Sequence, residues 1–205
     1  DTTPNKMSEA VKSFRELYNG ESDENPFVIL KCPWCGAQMG VVYKKSGLRD
    51  IKGYWQKTEA HRKKSIVFRC SNSKCTFSDA NNPLPLYVVD ESIYDKTPTL
   101  LLGTVDKFAM LPFRPQAQRI FGFYDGKKLT SPDLIIQDEL HLISGPLGSM
   151  VGHYETMIGE LCSMKVNGKI IKPKIVASTA TISRAKEQCH ALYGCPKDKV
   201  FQFPP

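Results

Sequence analysis

Apolar runs and helical stripes alternate along the second half of the chain. The runs are short and rich in β-branched residues, as in strands buried on both faces of a parallel sheet, whereas the stripes have apolar residues at helical spacing. The runs predict strands at residues 99–103, 134–136, 174–178 and 200–203. The stripes predict helices over 151–165 and 183–193, the second ended by Gly194. This alternation predicts parallel βαβ units and therefore an α/β fold.

The first half carries a different pattern, with one amphipathic helix and shorter extended segments. Apolar side chains recur at helical spacing over residues 8–19, and Gly20 suits the left-handed position that ends a helix. Residues 27–30 predict a short strand, and residues 83–94 predict a strand or an extended connector. Later in the chain, Asp125-Gly126 and Asn167-Gly168 predict tight turns.

The net charge of +7 is unevenly distributed over the 205 residues. Between Lys31 and Cys75, eleven basic residues accompany two acidic ones, a local charge of +9 that leaves the rest of the chain at −2. Polyanion binding should therefore concentrate in that segment. No apolar run reaches the roughly 20 residues that cross a membrane, and no signal peptide opens the chain. We expect a soluble, cytoplasmic protein that does not contact a membrane, and we interpret the chain as a piece of a longer polypeptide.

Two close pairs of cysteines indicate a metal site. Cys32 and Cys35 are separated by two residues, and Cys70 and Cys75 by four. Each pair can bind one metal ion from a tight turn, and together the four thiolates complete a tetrahedral shell, which predicts a structural Zn²⁺ in a zinc-ribbon arrangement. A redox Cys-x-x-Cys is the alternative, but it leaves the second pair unexplained. His61 is either a substitute ligand or an exposed histidine in a basic loop.

Basic and aromatic residues alternate between the two cysteine pairs. Positive charge attracts phosphates and aromatic rings stack on unpaired bases, so this mixture suits single-stranded nucleic acid. The candidate contacts are Lys44, Lys45, Trp55, Arg62, Lys63 and Lys64. An alternative stays open: a metal-bound module with a solvated basic face, whose aromatic residues form its small core.

Two carboxylates follow the predicted strand at residues 134–136. In an open α/β sheet the ligand crevice lies beyond the carboxyl ends of the strands, which is where Asp138 and Glu139 would lie. Asp138 could hold Mg²⁺ through its water shell, and Glu139 could orient and deprotonate a water that attacks a γ-phosphate. A strand that ends in a solvated acidic turn would account for the same residues.

The acidic pair is part of a longer pattern. Asp138-Glu139-Leu140-His141, followed about 40 residues later by Ser178-Thr179-Ala180-Thr181, resembles motifs II and III of the superfamily-two DExH-box helicases. The segments 100–108 and 138–148 are similar in amino-acid sequence to the large helicases of the DISARM anti-phage system. This resemblance covers residues 84–205.

The resemblance implies a role for each matched residue. Asp138 would anchor the metal, Glu139 would be the base, and His141 would link them to Thr179 and Thr181. Thr104 and Lys107 would correspond to motif Ib, which binds phosphates of the tracked strand. A plain strand-to-helix connection capped by Thr104 is an equal alternative for that segment.

The implied architecture is a partial RecA-like parallel sheet with flanking helices and a Cys₄ zinc-ribbon insertion. Its parts would be an N-terminal helix and linker (1–26), the zinc-ribbon module (27–82) and the C-terminal part of the first motor lobe (83–205). The chain lacks a Gly-x-x-x-x-Gly-Lys-Ser/Thr loop, so we expect this piece alone to be inactive. ATP, Mg²⁺ and the remaining motor domains would belong to the full polypeptide, and the nucleic acid would be DNA by resemblance.

Two other functions compete with a helicase. The chain could be a free-standing zinc-ribbon module that binds nucleic acid, with a non-catalytic α/β scaffold. A metal-dependent nuclease using Asp133, Asp138 and Glu139 is poorly supported, because Asp133 begins the predicted strand and would lie about 17 Å from Asp138 in an extended chain.

Overall fold

The computed structural model describes residues 3–58, 60–143, 145–179 and 185–203, with the backbone alone for residues 145–150. The chain divides into two compact units, one running through Pro98 and the other starting at Thr99. No helix in these described ranges is both long and apolar enough to cross a membrane.

The first unit begins with the predicted amphipathic helix, α1 (Met7–Asn19). Gly20 ends it in the left-handed conformation, with φ of 77°, and its N–H points to the carbonyls of Glu16 and Leu17. Ala10 and Leu17 are fully buried in the same core as the cysteines. The helix therefore belongs to the cysteine-containing unit, whereas the sequence analysis grouped it with a linker.

Two antiparallel hairpins supply most of the first unit's strands. β1 (Gly40–Tyr43) pairs with β2 (Arg49–Lys52), and β3 (Tyr54–Thr58) pairs with β4 (Lys64–Phe68). Tyr54, Phe68 and Phe27 pack edge to face at the centre, with ring centroids 5.2–5.9 Å apart. The Tyr54 hydroxyl donates to the Ile29 carbonyl at 2.7 Å and accepts from the Asn25 amide at 2.9 Å. These contacts hold the segment from Asn25 to Ile29, which precedes the first cysteine pair, against the core.

Two predictions in this unit are wrong in detail. Residues 27–30 form no strand, because Val28 adopts a left-handed φ of 51° and the chain turns, with the Ile29 N–H donating to the Phe27 carbonyl at 2.6 Å. Residues 83–89 are extended, with one bridge from Leu84 to Phe68, but the chain then forms α2 (Asp90–Lys96). These residues pack in the first unit, whereas the sequence analysis placed them in the motor lobe.

The second unit contains short strands and three α-helices in its described residues. In chain order they are α3 (Val105–Ala109), β5 (Phe123–Tyr124), β6 (Lys127–Lys128), β7 (Leu134–Gln137), α4 (Gly145–Cys162), β8 (Met164–Val166), β9 (Lys169–Ile171), β10 (Lys174–Ala177) and α5 (Ala185–Tyr193). β5–β6 and β8–β9 are hairpins, turning at Asp125-Gly126 and Asn167-Gly168, as predicted. All four turn residues have positive φ.

One pair of strands in the second unit is parallel. β7 lies beside β10, with Leu134 opposite Lys174 and Gln137 opposite Ala177. This is the βαβ geometry expected for residues 134–178, and the larger RecA-like sheet stays a prediction. The strands predicted at 99–103 and 200–203 are not formed, and Leu100 and Leu102 are 72% and 86% exposed. Neither segment pairs with a neighbouring strand among the described residues, so its backbone stays irregular.

Candidate functional site

The four predicted ligands lie together in the first unit. The Sγ atoms of Cys32, Cys35, Cys70 and Cys75 all lie within 4.8 Å of one another, and Cys35 and Cys70 approach to 3.4 Å. A tetrahedral Zn²⁺ with Zn–S bonds near 2.3 Å separates its sulfurs by about 3.8 Å. The donor set and its spacing therefore fit a Cys₄ metal site. His61 is exposed and lies outside this group, which favours its interpretation as a surface residue.

Tight backbone turns position both cysteine pairs. The Gly36 N–H donates to the Cys32 carbonyl at 2.9 Å, and the Cys75 N–H donates to the Asn72 carbonyl at 2.9 Å. Gly36 has φ of 73°, a conformation that glycine adopts at little cost, and this explains why a glycine follows the first pair. Each turn points two sulfurs toward the same centre.

The four thiols differ in environment. Three are buried, whereas Cys35 is exposed. The Ala37 backbone amide, and then the Cys70 thiol, lower the pKa of Cys35 to about 7. Burial raises the pKa of Cys70 to about 12. A metal ion takes the place of the thiol protons when it binds. Its positive charge would therefore offset the cost of burying the Cys70 thiolate, which is the cost that raises the pKa of Cys70.

Aromatic side chains join the two cysteine turns. Trp34, from the first turn, meets Phe77, just after the second, edge to face at 5.7 Å. Trp34 is nevertheless 70% exposed. The ring therefore contributes to both packing and the surface beside the metal site.

The predicted nucleic-acid contacts of this unit lie mostly at the ends of the two hairpins. Lys44 and Lys45 follow β1, and Lys44 is paired with Asp50 at 3.6 Å. Residues 62–64 lead into β4, and all are exposed. The hairpin ends thus carry part of the positive charge that the sequence places in this segment.

Trp55 differs from its aromatic neighbours because it faces outward from β3. It is 51% exposed, whereas Tyr54 is buried in the core. The Arg69 guanidinium lies 4.7 Å from the centre of the Trp55 ring and donates to the Ser78 carbonyl at 2.7 Å. Lys57, two residues along the strand, shares the Trp55 face. The aromatic residues between the cysteine pairs therefore divide into buried core rings, such as Tyr54, and exposed rings beside basic groups, namely Trp55 and Tyr43, which is 67% exposed.

The acidic turn of the second unit lies at the carboxyl ends of the parallel strands. The Ser178 hydroxyl donates to Asp138 Oδ1, and the Glu139 N–H donates to the same oxygen at 3.0 Å. These two donors, Ser178 first, lower the pKa of Asp138. The Leu140 N–H also donates to the Ser178 carbonyl at 2.9 Å. Asp138 thus presents a carboxylate held in place by two donors, and carboxylate oxygen is the kind of ligand that Mg²⁺ prefers.

Glu139 and His141 lie in the same turn as Asp138. Glu139 has a left-handed φ of 54°, which reverses the chain, and His141 Nδ1 lies 3.2 Å from Glu139 Oε2. Thr179 is exposed beyond the end of β10, and Thr181 lies outside the described residues. Asp138, Glu139 and His141 are thus gathered in one turn, and their contact to the second motif is made by Ser178.

Thr104 and Lys107 lie at a strand-free connection. Thr104 precedes the short helix α3, and its carbonyl accepts from the Lys107 N–H at 3.0 Å. Thr104 occupies the N-cap position, but its side chain makes no capping hydrogen bond and no strand precedes it in the described residues 99–103, so the plain strand-to-helix cap is not formed. The nucleic-acid role of both residues stays a prediction.

Three residues near the acidic turn were not among the predicted site residues. Ser178 lay within the second motif, so its hydroxyl could have been considered with Thr179. Gln188 and Tyr193, on α5, contact residues of the turn segment across more than 40 positions of sequence. Their role depends on how α5 packs, which no local pattern in the sequence reveals.

Comparison with known proteins adds one relationship. The chain matches no protein-family model. It is 37% identical to "DISARM protein DrmA" of Bacillus paralicheniformis in an alignment that covers 86% of this chain. The chain is related to this DISARM protein. It spans 17% of the length of DrmA. The DISARM part of the resemblance is therefore confirmed, whereas the DExH-box and zinc-ribbon assignments stay predictions.

Proposed function

We propose that this chain is part of an ATP-dependent helicase or translocase that acts on DNA in anti-phage defence. The observation that carries the proposal is the contact between Asp138 and Ser178 at the carboxyl ends of two parallel strands, in a relative of DrmA. In this arrangement Asp138 would hold Mg²⁺ through water, and Glu139 would orient and deprotonate the water that attacks ATP.

A second observation supports the idea that the chain is one section of a larger sheet. Leu134, Ile136 and Val176 lie on one face of the parallel pair and are 43–64% exposed. On the opposite face Gln137 accepts a hydrogen bond from Tyr193 of α5. Parallel sheets normally have both faces covered, so the bare face fits a longer polypeptide whose other segments cover it.

The test is ATP hydrolysis by the longer polypeptide with and without DNA. Glu139→Gln keeps the shape of the side chain but removes the base, so ATP should still bind while turnover falls by roughly 10²-fold or more. Glu160→Gln, an exposed acid on α4, is the matched control and should leave turnover unchanged. Normal hydrolysis by Glu139→Gln would overturn the assignment of the acidic turn.

A second candidate function has its own observation. Exposed Trp55 and the basic hairpin ends favour a metal-bound module that contacts single-stranded nucleic acid. Such binding should be insensitive to sequence and steeply dependent on salt, because phosphates supply most of the free energy.

Binding of a fluorescent single-stranded oligonucleotide by the 205-residue chain tests this candidate. Lys63→Glu with Lys64→Glu should weaken binding and reduce the slope of log K against log salt by about 1.4, the value for two phosphate contacts. Lys172→Glu with Lys199→Glu makes the same charge change in the second unit and serves as the control. Equal binding by both double variants would mean that the hairpin end is only a solvated surface.

A further inference from the structure

One side chain of α5 holds the far end of the acidic turn. Gln188 Nε2 donates to the carbonyl of Leu140 at 3.3 Å and to that of Ile143 at 3.2 Å. These carbonyls bracket the short 3-10 turn Leu140–Leu142, which contains His141. Leu140 itself is buried, so the turn is anchored by its apolar side chain and by Gln188 at once.

A second side chain of α5 holds the near end. The Tyr193 hydroxyl donates to Gln137 Oε1, and Gln137 is the last residue of β7, directly before Asp138. Tyr193 is half-buried, and burial raises the pKa of its hydroxyl. α5 therefore contacts the chain on both sides of Asp138 and Glu139.

The two contacts make α5 a clamp across the acidic turn. We propose that Gln188 and Tyr193 are positioning residues that set the placement of Glu139 and His141. α5 follows β10 and the Ser178 segment along the chain, so its two contacts return to the turn that Ser178 also holds through Asp138. This inference rests on the proposed ATP hydrolysis for its catalytic consequence, but the clamp itself can be measured in the isolated chain.

The first experiment measures the clamp by residue-resolved amide hydrogen exchange in the 205-residue chain. The N–H groups of Leu142 and Ile143 donate within the turn, to the Glu139 and Leu140 carbonyls at 2.9 and 3.1 Å. Gln188→Leu removes the donor and keeps the size, so exchange at both amides should accelerate about tenfold. The β10 amides should keep their rates, because the change is local.

Two controls separate positioning from general packing. Gln116→Leu makes the same glutamine-to-leucine substitution at an exposed position of the second unit, and Tyr154→Phe removes a hydroxyl group from α4. Neither should alter exchange in the turn. Gln188→Lys restores a donor at this position and should restore slow exchange. Acceleration in the controls, or none in Gln188→Leu, would overturn the clamp.

The second experiment measures the consequence in the longer polypeptide. Gln188→Leu and Tyr193→Phe should each lower kcat for ATP about tenfold with KM nearly unchanged, because small misplacements of a catalytic group act on the chemical step. Unchanged kcat in variants that accelerate exchange would overturn the positioning role. Failure of the proposed function is separate, since it would appear as no hydrolysis by the wild-type polypeptide.

Discussion

Free zinc should control the stability of the first unit and leave the second unit unaffected. The four sulfurs form one site, and three of them are buried in the core that also contains Leu17 and Phe27. A single ion bound only by the folded state stabilises it by RT ln(1 + [Zn]/Kd), which is about 1.4 kcal/mol for each tenfold rise in free zinc. The slope therefore counts the ions, and we expect one.

The chain offers a selective probe for this measurement. Its two tryptophans, Trp34 and Trp55, both lie in the first unit, so their fluorescence reports the unfolding of that unit alone. Denaturant titrations in a series of zinc buffers should give a free energy of unfolding that rises by about 1.4 kcal/mol per decade. Far-UV circular dichroism reports both units in the same samples. The part of its change that does not coincide with the fluorescence transition belongs to the second unit and should not move with zinc.

Two variants complete the experiment. Cys75→Ser removes one buried ligand and should abolish most of the zinc dependence. Cys189→Ser, in α5 of the second unit, should leave the slope unchanged. A fluorescence transition that is independent of zinc, or equally dependent in Cys75→Ser, would refute the Cys₄ assignment.

Three further predictions concern the second unit. Ser178→Ala removes the main hydrogen-bond donor to Asp138, so the pKa of Asp138 should rise toward its usual range in a carboxyl-carbon NMR titration. The variant should also be less stable than the wild type at neutral pH. This difference in stability should disappear as the pH falls through the native pKa of Asp138. Burial raises the pKa of Glu155, so ionisation costs stability, and Glu155→Gln should raise the thermal midpoint by an amount that grows as the pH rises above the acid's unfolded pKa. Lys128 donates to two carbonyls at the end of α4, each at 2.5 Å, so Lys128→Met should cost roughly 1–3 kcal/mol in denaturant unfolding.

Each of these predictions has a contrary outcome. An unchanged Asp138 pKa in the Ser178 variant would mean that the hydroxyl contact is not maintained in solution. A pH-independent gain from Glu155→Gln would point to better packing in place of relieved charge burial. No loss in Lys128→Met would show that water satisfies the helix end as well as the lysine does.

Local signals predicted much of the structure. The helix that ends at Gly20 and the two turns with positive φ were expected, because glycine at these positions avoids steric strain that other residues would suffer. The grouping of the four cysteines was expected from their spacing alone, and they do cluster. β10 (Lys174–Ala177) ends one residue before the predicted boundary.

Tertiary context decided the rest. The apolar run at residues 99–103 has the composition of a strand, but a strand needs a neighbour, and none pairs with it among the described residues. The contact of Ser178 with Asp138 depends on the register of two strands joined through α4. The contacts of Gln188 depend on the packing of α5. Sequence periodicity contains neither kind of information.

The bare face of the parallel strands also affects how the chain behaves at high concentration. Leu134, Ile136 and Val176 form a small apolar surface on a two-stranded sheet whose outer edges are unpaired within the described residues. Open edges and apolar surface together favour association between copies, by edge pairing and by burial of the exposed side chains. Apparent mass in light scattering should therefore grow with protein concentration, and a charge placed on this face, such as Ile136→Lys, should suppress the growth.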